Sequence, residues 1–364
     1  MSSSFGHLFK VTTWGESHGK GVGVVVDGCL PNIPLSEEDI QVELDKRKPG
    51  QSKVTTSRKE SDTIEIQSGV FEGRTTGTPI SMWVRNDDQK SKSYSNIKDL
   101  FRPGHADYCY FKKYGIRDHR GGGRSSGRET VARVASGAIA KKILQLEGIQ
   151  VHAFTKSIGD IHIHQISLDE VYNNPVRSPD PSVADEMEEL ILQVRKEQSS
   201  IGGVVECIAF NVPPGLGEPT FDKLDADIAK AMMSIGAVKG IEIGDGFQLS
   251  RMRGEEANDA FINRDGKILT ETNHCGGILG GISTGMPIIV RVAVKPTSSL
   301  AREQQTVNTK GESAVISTKG RHDPCIVPRI VPVIESMMAL VLCDHLLRQK
   351  ALLSQSASQR DGSI

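Results

Sequence analysis

A basic, glycine-rich run near the middle of the chain contains the residue types best suited to chemistry. It reads RDHRGGGRSSGRET over residues 117–130, and a fifth arginine, Arg133, follows just beyond it. Guanidinium groups bind carboxylate or phosphate at two points, and glycines let the backbone approach a ligand closely. The start of a helix adds free N–H groups and the positive end of its dipole. Together these features predict a site for a multiply anionic ligand.

Two familiar phosphate motifs do not match this run. The spacing from Gly122 to Gly127 fits a Walker A loop, but Arg128-Glu129 stand where Lys and Ser or Thr are needed. A dinucleotide fingerprint requires glycine where Ser126 stands and a clear strand before the turn. A solvated surface loop and a disordered Arg/Gly segment that binds RNA stay open as alternatives. Neither explains why the run leads directly into an apolar helix.

Two histidines lie on glycine turns, His18 in GESHG and His105 in RPGHAD. A single histidine on such a turn is more often structural than catalytic. Two of them beside arginine-rich loops give both interpretations comparable weight, since histidine changes charge near neutral pH. Ser17 is not predicted as a nucleophile, because no helix follows its Gly-x-Ser-x-Gly pattern.

Composition limits the class of protein. The 364 residues are 37% hydrophobic, which suffices for a large core, and the net charge of −1 argues against a nucleic-acid partner. The six scattered cysteines form no C-x-x-C pair, so neither a metal site nor a disulfide framework is predicted. With no signal peptide and no apolar run judged long enough for a bilayer, we expect a cytoplasmic protein without a membrane partner.

Apolar patterns supply the elements that must position these residues. Strands are predicted at 8–13 and 22–26 on either side of His18, and a helix at 129–146 continues from the arginine run. A second strongly apolar helix is predicted at 331–347. We therefore expect an α+β fold in which these helices lie inside layers of short antiparallel strands.

The remaining pattern predicts a single domain. Strands are expected at 151–154 and 158–163, and the charged stretch 252–269 is expected to be a flexible loop. No linker divides residues 1–350, so they are assigned to one domain. Residues 351–364 are predicted to be a polar, disordered tail.

Taken together, the motifs resemble the chorismate synthase family. The match runs in the family's order from about Phe5 to Leu347, and its motifs are long. They are GESHG (15–19), RPGHAD (102–107), RGGGRSSGRET (120–130), AVKG (237–240), GGILGGIS (276–283) and RHDP (321–324). The resemblance implies a β-α-β sandwich with central helices between antiparallel sheets, assembled as a homotetramer.

The resemblance also implies a reaction. The family converts 5-enolpyruvylshikimate 3-phosphate to chorismate and phosphate by 1,4-elimination, on the way to the aromatic amino acids. The reaction requires reduced FMN without net redox change. Because this chain lacks the long insertions of members that reduce their own flavin, an external flavin reductant is expected. NADPH is then only an indirect electron source.

Residue roles follow from the same resemblance. His18 would supply a proton or positive charge to the leaving phosphate, His105 would protonate or polarise the flavin at N1, and Asp323 would take a proton from N5. The expected cofactor-binding residues are Arg124, Ser125, Ser126, Gly236, Ala237, Gly280, Lys295, Pro296, Thr297, Ser298, Ser299 and Arg321. The expected substrate-binding residues are Arg47, Lys53, His105, Ser126, Arg133 and Arg321.

Three positions depart from the usual family pattern. Lys53 stands where arginine is common, Gly236 replaces a frequent asparagine, and residues 199–203 read SSIGG where Asp-Ser-x-Gly-Gly is common. These departures concern ligand contacts. A flavin-binding module or oxidoreductase without lyase activity is the main alternative, but it would not need two histidines and Asp323 together.

Overall fold

A computed structural model of the chain describes residues 3–50, 52–55, 61–86, 97–318 and 322–353. The helices are α1 (Glu37–Arg47), α2 (Asp107–Tyr114), α3 (Thr130–Leu146), α4 (Pro181–Lys196), α5 (Leu224–Met233), α6 (Gly254–Ala257) and α7 (Val327–Leu353). The first seven strands are β1 (Ser4–Phe5), β2 (Lys10–Gly15), β3 (Gly21–Asp27), β4 (Ile64–Ile66), β5 (Val70–Phe71), β6 (Arg74–Thr75) and β7 (Ile80–Arg85). The others are β8 (Gln150–Ile158), β9 (Ile161–His162), β10 (Gly203–Phe210), β11 (Val238–Ile243), β12 (Phe261–Arg264), β13 (Lys267–Thr270), β14 (Ile278–Leu279), β15 (Ile282–Ser283), β16 (Ile288–Val294), β17 (Gln304–Val307) and β18 (Ser313–Ile316).

The first sheet holds five antiparallel strands in the order β1-β2-β3-β7-β4. In the central strand, β3, the side chains of Val22, Val24 and Val26 are buried on the core face. This strand pairs with β7. This apolar face packs against α3. The alternation follows from the period of two in a strand, which places every second side chain on the core face.

The second sheet has the order β11-β16-β10-β8-β9, again antiparallel, and packs against α7. Helices α3 and α7 also pack on each other between the two sheets. They approach closely because Gly137 of α3 has no side chain where it meets Ser336 of α7. The expected α+β sandwich with central helices between antiparallel sheets is confirmed.

The C-terminal helix corrects one expectation from the sequence. At 27 residues, α7 is long and apolar enough to cross a bilayer by length and composition, although the sequence was expected to contain no such run. Its most apolar stretch is entirely buried within the protein, which is the environment of a core helix. The helix also extends to Leu353, into the segment predicted as a tail, and residues 354–364 lie outside the described part of the chain.

The prediction of a flexible loop at 252–269 is wrong, and the bounds of two predicted strands differ from those observed. Residues 252–269 include α6 and the β12–β13 hairpin, whose turn places Asp265 and Gly266 at positive φ. That pair fits the tight two-residue turn of a hairpin, a signal that the charged composition conceals. The two strands expected at 151–154 and 158–163 are present as β8 and β9, but β8 is longer than predicted, because it pairs along the full length of β10, and β9 is shorter.

The close approach of α3 and α7 predicts a specific effect of Gly137→Ala. A Cβ atom at this position would lie 2.4 Å from Ser336 Cβ and 2.8 Å from Ser336 Cα, so the helices must move apart. Overpacking should outweigh the better helix propensity of alanine and lower the free energy of unfolding by about 1–3 kcal/mol. Thermal and denaturant unfolding measure this. Gly254→Ala, where nothing lies within 4 Å, is the matched control; a Gly137 variant as stable as the control would contradict the packing argument.

Candidate active site

A cavity of about 560 Å³ lies where the N-terminal ends of α3 and α7 meet the turns that follow α5 and β16. Most of the predicted site residues line it, although they come from distant parts of the sequence. They are Arg47, His105, Arg124, Ser125, Ser126, Arg133, Gly236, Ala237, Lys295, Pro296, Thr297, Ser298, Ser299 and Asp323. The fold therefore collects the arginine run, one histidine and the predicted acid around one space.

Arg124 is held in the cavity wall by the first sheet. Its Nη2 donates to Thr13 Oγ1 at 2.6 Å and its Nη1 donates to the Gly15 carbonyl at 3.1 Å. Glu129 Oε1 lies 3.8 Å from the same guanidinium. Because neutral oxygens supply the shorter contacts, the cation is fixed in place without being closely paired to an acid.

Arg47 and Arg128 share one buried carboxylate, that of Asp62. Arg47 Nη1 donates to Asp62 Oδ2 at 2.7 Å, while Arg128 Nη1 contacts the other oxygen. Arg47 also donates to Thr130 Oγ1 and to the Gly127 carbonyl, at 3.0 and 2.9 Å. Both guanidinium groups therefore lie beside the N-terminus of α3, whose helix dipole favours an anion.

Arg133 joins α3 to the end of α5. It bonds Glu129 Oε2 at 2.8 Å, and its Nη1 donates to Ser234 Oγ at 2.6 Å. Ser234 lies two residues before Gly236, which lines the cavity together with Ala237. The pair thus fixes the predicted cofactor-binding turn against the arginine run.

His105 lies in a cluster around Asp107. Its Nδ1 is 2.9 Å from Asp107 Oδ1, within ion-pair distance, although the ring is not turned into hydrogen-bonding alignment. Burial disfavours the charged carboxylate, but the hydrogen bonds of Arg102 and the nearby charges of Arg102 and His105 outweigh it and hold the pKa of Asp107 well below its usual range. Arg117 Nη1 also contacts this carboxylate, at 2.9 Å.

His18 is buried in the turn between β2 and β3, as the predicted strands imply, but it lies outside the lining of this cavity. Its Nδ1 is 3.1 Å from Ser17 Oγ. The ring lies against Gly121, where an added Cβ would come within 2.3 Å of Nδ1. His18 therefore contacts the arginine run at Gly121, and its predicted role in catalysis stays a prediction.

Asp323 is a buried carboxylate at the entrance to α7. Its Oδ2 accepts from Arg329 Nη1 at 2.6 Å, and its backbone carbonyl accepts from Thr297 Oγ1 at 2.7 Å. The second contact ties Asp323 to the predicted cofactor-binding segment after β16. Both sides of that contact line the same cavity.

Besides His18, three predicted residues are not placed at this cavity. Lys53 is held through its backbone carbonyl, which accepts from Arg195 at 2.9 Å. Gly280 forms the turn of the β14–β15 hairpin at φ +61° and does not line the cavity. Arg321 lies outside the described residues. The predicted ligand contacts of these three residues stay predictions.

The cavity also contains residues that were not assigned a role from the sequence. They are Arg102, Arg128, Glu129, Thr130, His322 and Arg329, among others. Arg102, Arg128, Glu129 and Thr130 belong to motifs quoted above, so the motifs carried the signal although the individual roles were not separated. Arg329 had no such signal, since it follows the RHDP motif in an apolar helix.

A second cavity of about 850 Å³ adjoins the first. The two share part of their walls, including His105, Arg124 and Arg133. The larger one adds aromatic and apolar side chains such as Tyr114, Ile116 and Met337. Among the described residues, no group of three or more His, Cys, Asp or Glu side chains is arranged to hold a metal ion.

Comparison with known proteins agrees with this arrangement. A family model described as chorismate synthase matches residues 9–347. The chorismate synthase of Methanococcoides burtonii is 59% identical over 351 residues, covering 95% of this chain and 96% of that protein. That of Methanocella arvoryzae is 56% identical over 366 residues, covering 99% and 98%. A crystal structure of a chorismate synthase matches with a TM-score of 0.77 at 35% identity, covering 95% of this chain and 93% of that one.

Because Arg47 and Arg128 share the carboxylate of Asp62, we predict that Asp62→Asn is strongly destabilising. Asp62 is 1% exposed and has φ +48°, a conformation that asparagine also tolerates, so the change mainly removes charge. Leaving Arg47 and Arg128 buried without their acid should cost about 3–5 kcal/mol of folding free energy. Thermal melting measures this, with Glu65→Gln as the control, because the Glu65–Arg85 pair is exposed. Equal melting temperatures for the two variants would contradict the prediction.

Proposed function

The chain belongs to the chorismate synthase family, and on this premise we propose that it converts 5-enolpyruvylshikimate 3-phosphate to chorismate and phosphate by 1,4-elimination with reduced FMN. Family membership makes it an enzyme, a lyase that forms chorismate in the shikimate pathway. The observation that carries the finer proposal is the convergence of His105, Asp323 and Arg124 on one cavity.

The residues of the cavity fit a flavin phosphate. Arg124 and Lys295 provide cations, and Ser125, Ser298 and Ser299 provide hydroxyl groups. Lys295 Nζ donates to the Gly104 carbonyl at 2.8 Å, and a Cβ at Gly104 would lie 3.1 Å from Ser298 Cβ. The backbone there is thus kept bare beside a cation and a hydroxyl, as a phosphate cradle requires.

Apolar side chains complete the fit to a flavin ring. Ile235, Ile326, Ile330 and Val333 line the same cavity, and Tyr110 lies in the wall that it shares with the larger one. Reduced FMN, when bound, supplies electron density to the allylic substrate as phosphate departs and is recovered unchanged. The protein's contribution is to place the groups and to stabilise charge.

The substrate carries a phosphate and two carboxylates, so its binding requires several cations. We assign that task to Arg47 and Arg133, with Lys53 and Arg321 as further contacts, and the position of Arg47 and Arg133 in the cavity lining supports it. Cations that are already held in place by the protein need little reorganisation when charge develops on the ligand.

Proton handling is assigned to three side chains. His18 donates a proton or positive charge to the leaving phosphate, and His105 holds a proton toward flavin N1. Asp323 accepts a proton at N5, and its contact with Arg329 fixes the carboxylate for this role. Histidine, with an ordinary pKa near 6.5, can serve in either protonation state at neutral pH.

The wider assignment follows the family. We propose a cytoplasmic homotetramer that depends on an external reductant for its flavin, with NADPH only as an indirect electron source. The alternative, a flavin-binding oxidoreductase without lyase activity, shares the glycine turns. It gives no reason for His105 and Asp323 to line one cavity together with several cations.

The decisive test is phosphate release under anaerobic conditions. Purified protein given reduced FMN and 5-enolpyruvylshikimate 3-phosphate should release phosphate and form chorismate in equal amounts, without oxidising the flavin. Oxidised FMN in the same assay is the control and should give no turnover. Flavin oxidation without phosphate release would instead support the oxidoreductase alternative.

Substitution of the proposed proton-handling groups should reduce turnover. His18→Ala and His105→Ala are each expected to lower kcat by about 10²-fold or more, the usual scale for acid–base groups. A kcat within a few-fold of wild type would remove that histidine from the mechanism.

Asp323→Ala should separate catalysis from binding. We expect it to bind FMN but to turn over poorly, because the carboxylate that accepts the proton is absent. Flavin titration and kcat are measured on the same preparation. If only flavin affinity falls, Asp323 serves in binding and not in proton transfer.

A further inference from the structure

We propose that Asp107 is a positioning residue for both histidines of the site, acting on His105 by direct contact and on His18 through Arg102 and Gly121. This inference rests on the proposed function for its catalytic meaning. It concerns a side chain to which neither the sequence nor the family resemblance assigned a role.

The direct connection is the contact between the buried carboxylate of Asp107 and the ring of His105. Asp107 opens α2 and is 4% exposed. Arg102 engages it on both oxygens, with Nε to Oδ2 and Nη2 to Oδ1 each at 2.8 Å, and the backbone N–H of Arg102 donates to Oδ2 at 3.1 Å. A carboxylate fixed at three points presents Oδ1 to His105 Nδ1 at a set place, 2.9 Å away.

The indirect connection runs through one backbone carbonyl. The same Nη2 of Arg102 that contacts Asp107 also donates to the carbonyl oxygen of Gly121, at 2.9 Å. Gly121 has φ +77°, and an added Cβ would lie 2.3 Å from His18 Nδ1 and 2.4 Å from its Cε1. The position of this peptide therefore limits where the His18 ring can lie.

Charge explains why Asp107 positions groups and does not itself transfer a proton. Arg102, Arg117 and His105 all contact this single carboxylate. Its pKa is held well below the usual range, so it stays ionised wherever the enzyme is folded and active. A fixed negative charge 2.9 Å from Nδ1 can position an imidazole electrostatically. A displacement of about 1 Å in a reacting group can cost on the order of 10²-fold in rate.

A double-mutant cycle tests the direct connection. The kcat with reduced FMN is measured for wild type, Asp107→Asn, His105→Ala and the double variant. Asp107→Asn should lower kcat about 10- to 100-fold in the wild-type background but by less than about 3-fold when His105 is already absent. KM and flavin affinity should change much less. Equal losses in both backgrounds would show a general structural role and overturn the proposal.

A second cycle tests the indirect connection. Gly121→Ala should lower kcat about 10-fold or more in the wild type, since the new methyl group displaces the His18 ring. In the His18→Ala background the ring atoms are gone, so only the backbone strain at residue 121 and a contact at 3.1 Å with Ser17 Oγ remain, and the further loss should be small. Arg102→Lys provides the matched change at the other end, because lysine keeps the charge but cannot bridge Asp107 and Gly121. A lysine variant with wild-type kcat would overturn this connection.

Spectra of ring ¹⁵N-labelled histidine complete the design and need no substrate. Asp107→Asn should shift the signals of His105, and Gly121→Ala or Arg102→Lys should shift those of His18, each assigned by the corresponding alanine variant. Unchanged signals in folded variants would overturn the positioning role whether or not the enzyme turns over. A wild type that releases no phosphate would instead overturn the proposed function. If Asp107→Asn fails to fold, Arg102→Lys supplies both readouts.

Discussion

The contact between α3 and α7 is the constraint on which the site depends. Each helix covers one sheet, and the two can share a single layer because Gly137 lets their backbones approach at Ser336. Their N-terminal ends then lie at the same cavity, which brings the arginine run on one and Asp323 beside the other. A wider separation of the two helices would also separate the arginine run from Asp323, since the first precedes α3 and the second precedes α7.

Cations held around one cavity repel one another, and the structure fixes them with a combination of neutral and acidic partners. Arg124 is fixed mainly by a hydroxyl and by carbonyl groups, whereas Arg47 and Arg128 divide the charge of Asp62. Such contacts fix the geometry of each guanidinium group. The cations are therefore already in place around the cavity, and the side chains need little rearrangement to receive an anionic ligand.

Local signals in the sequence determine much of this arrangement. Ser36 and Asp39 form the capping box that starts α1, and the four-residue apolar repeat of Val131, Ala135 and Ile139 places α3 correctly. The chemistry of the arginine run, the histidine turn at His105 and the family motifs identify most of the cavity lining. The hairpin at β12–β13 is less accessible to prediction, because its charged residues outweigh a two-residue turn signal.

Contacts between distant segments of the chain could not be predicted from the sequence. The pairing of Arg47 with Asp62, the position of His18 behind Gly121 and the contact of Arg329 with Asp323 depend on how whole elements pack. Periodicity and turn residues report only on neighbours along the chain. For the same reason the sequence suggested that Arg47 would be directed at a ligand, whereas the structure also uses its guanidinium to join α1 to the start of α3.

The apolar length of α7 has a consequence for biosynthesis. Every strand of both sheets, and α3 as well, precedes this helix in the chain. During translation the segment that most resembles a bilayer span therefore emerges after the surfaces that receive it have been made. Its exposure to chaperones, to membrane-targeting factors and to other nascent chains is shortened accordingly. A circular permutant that places α7 first would lose this order of events and should aggregate more readily while it is being synthesised.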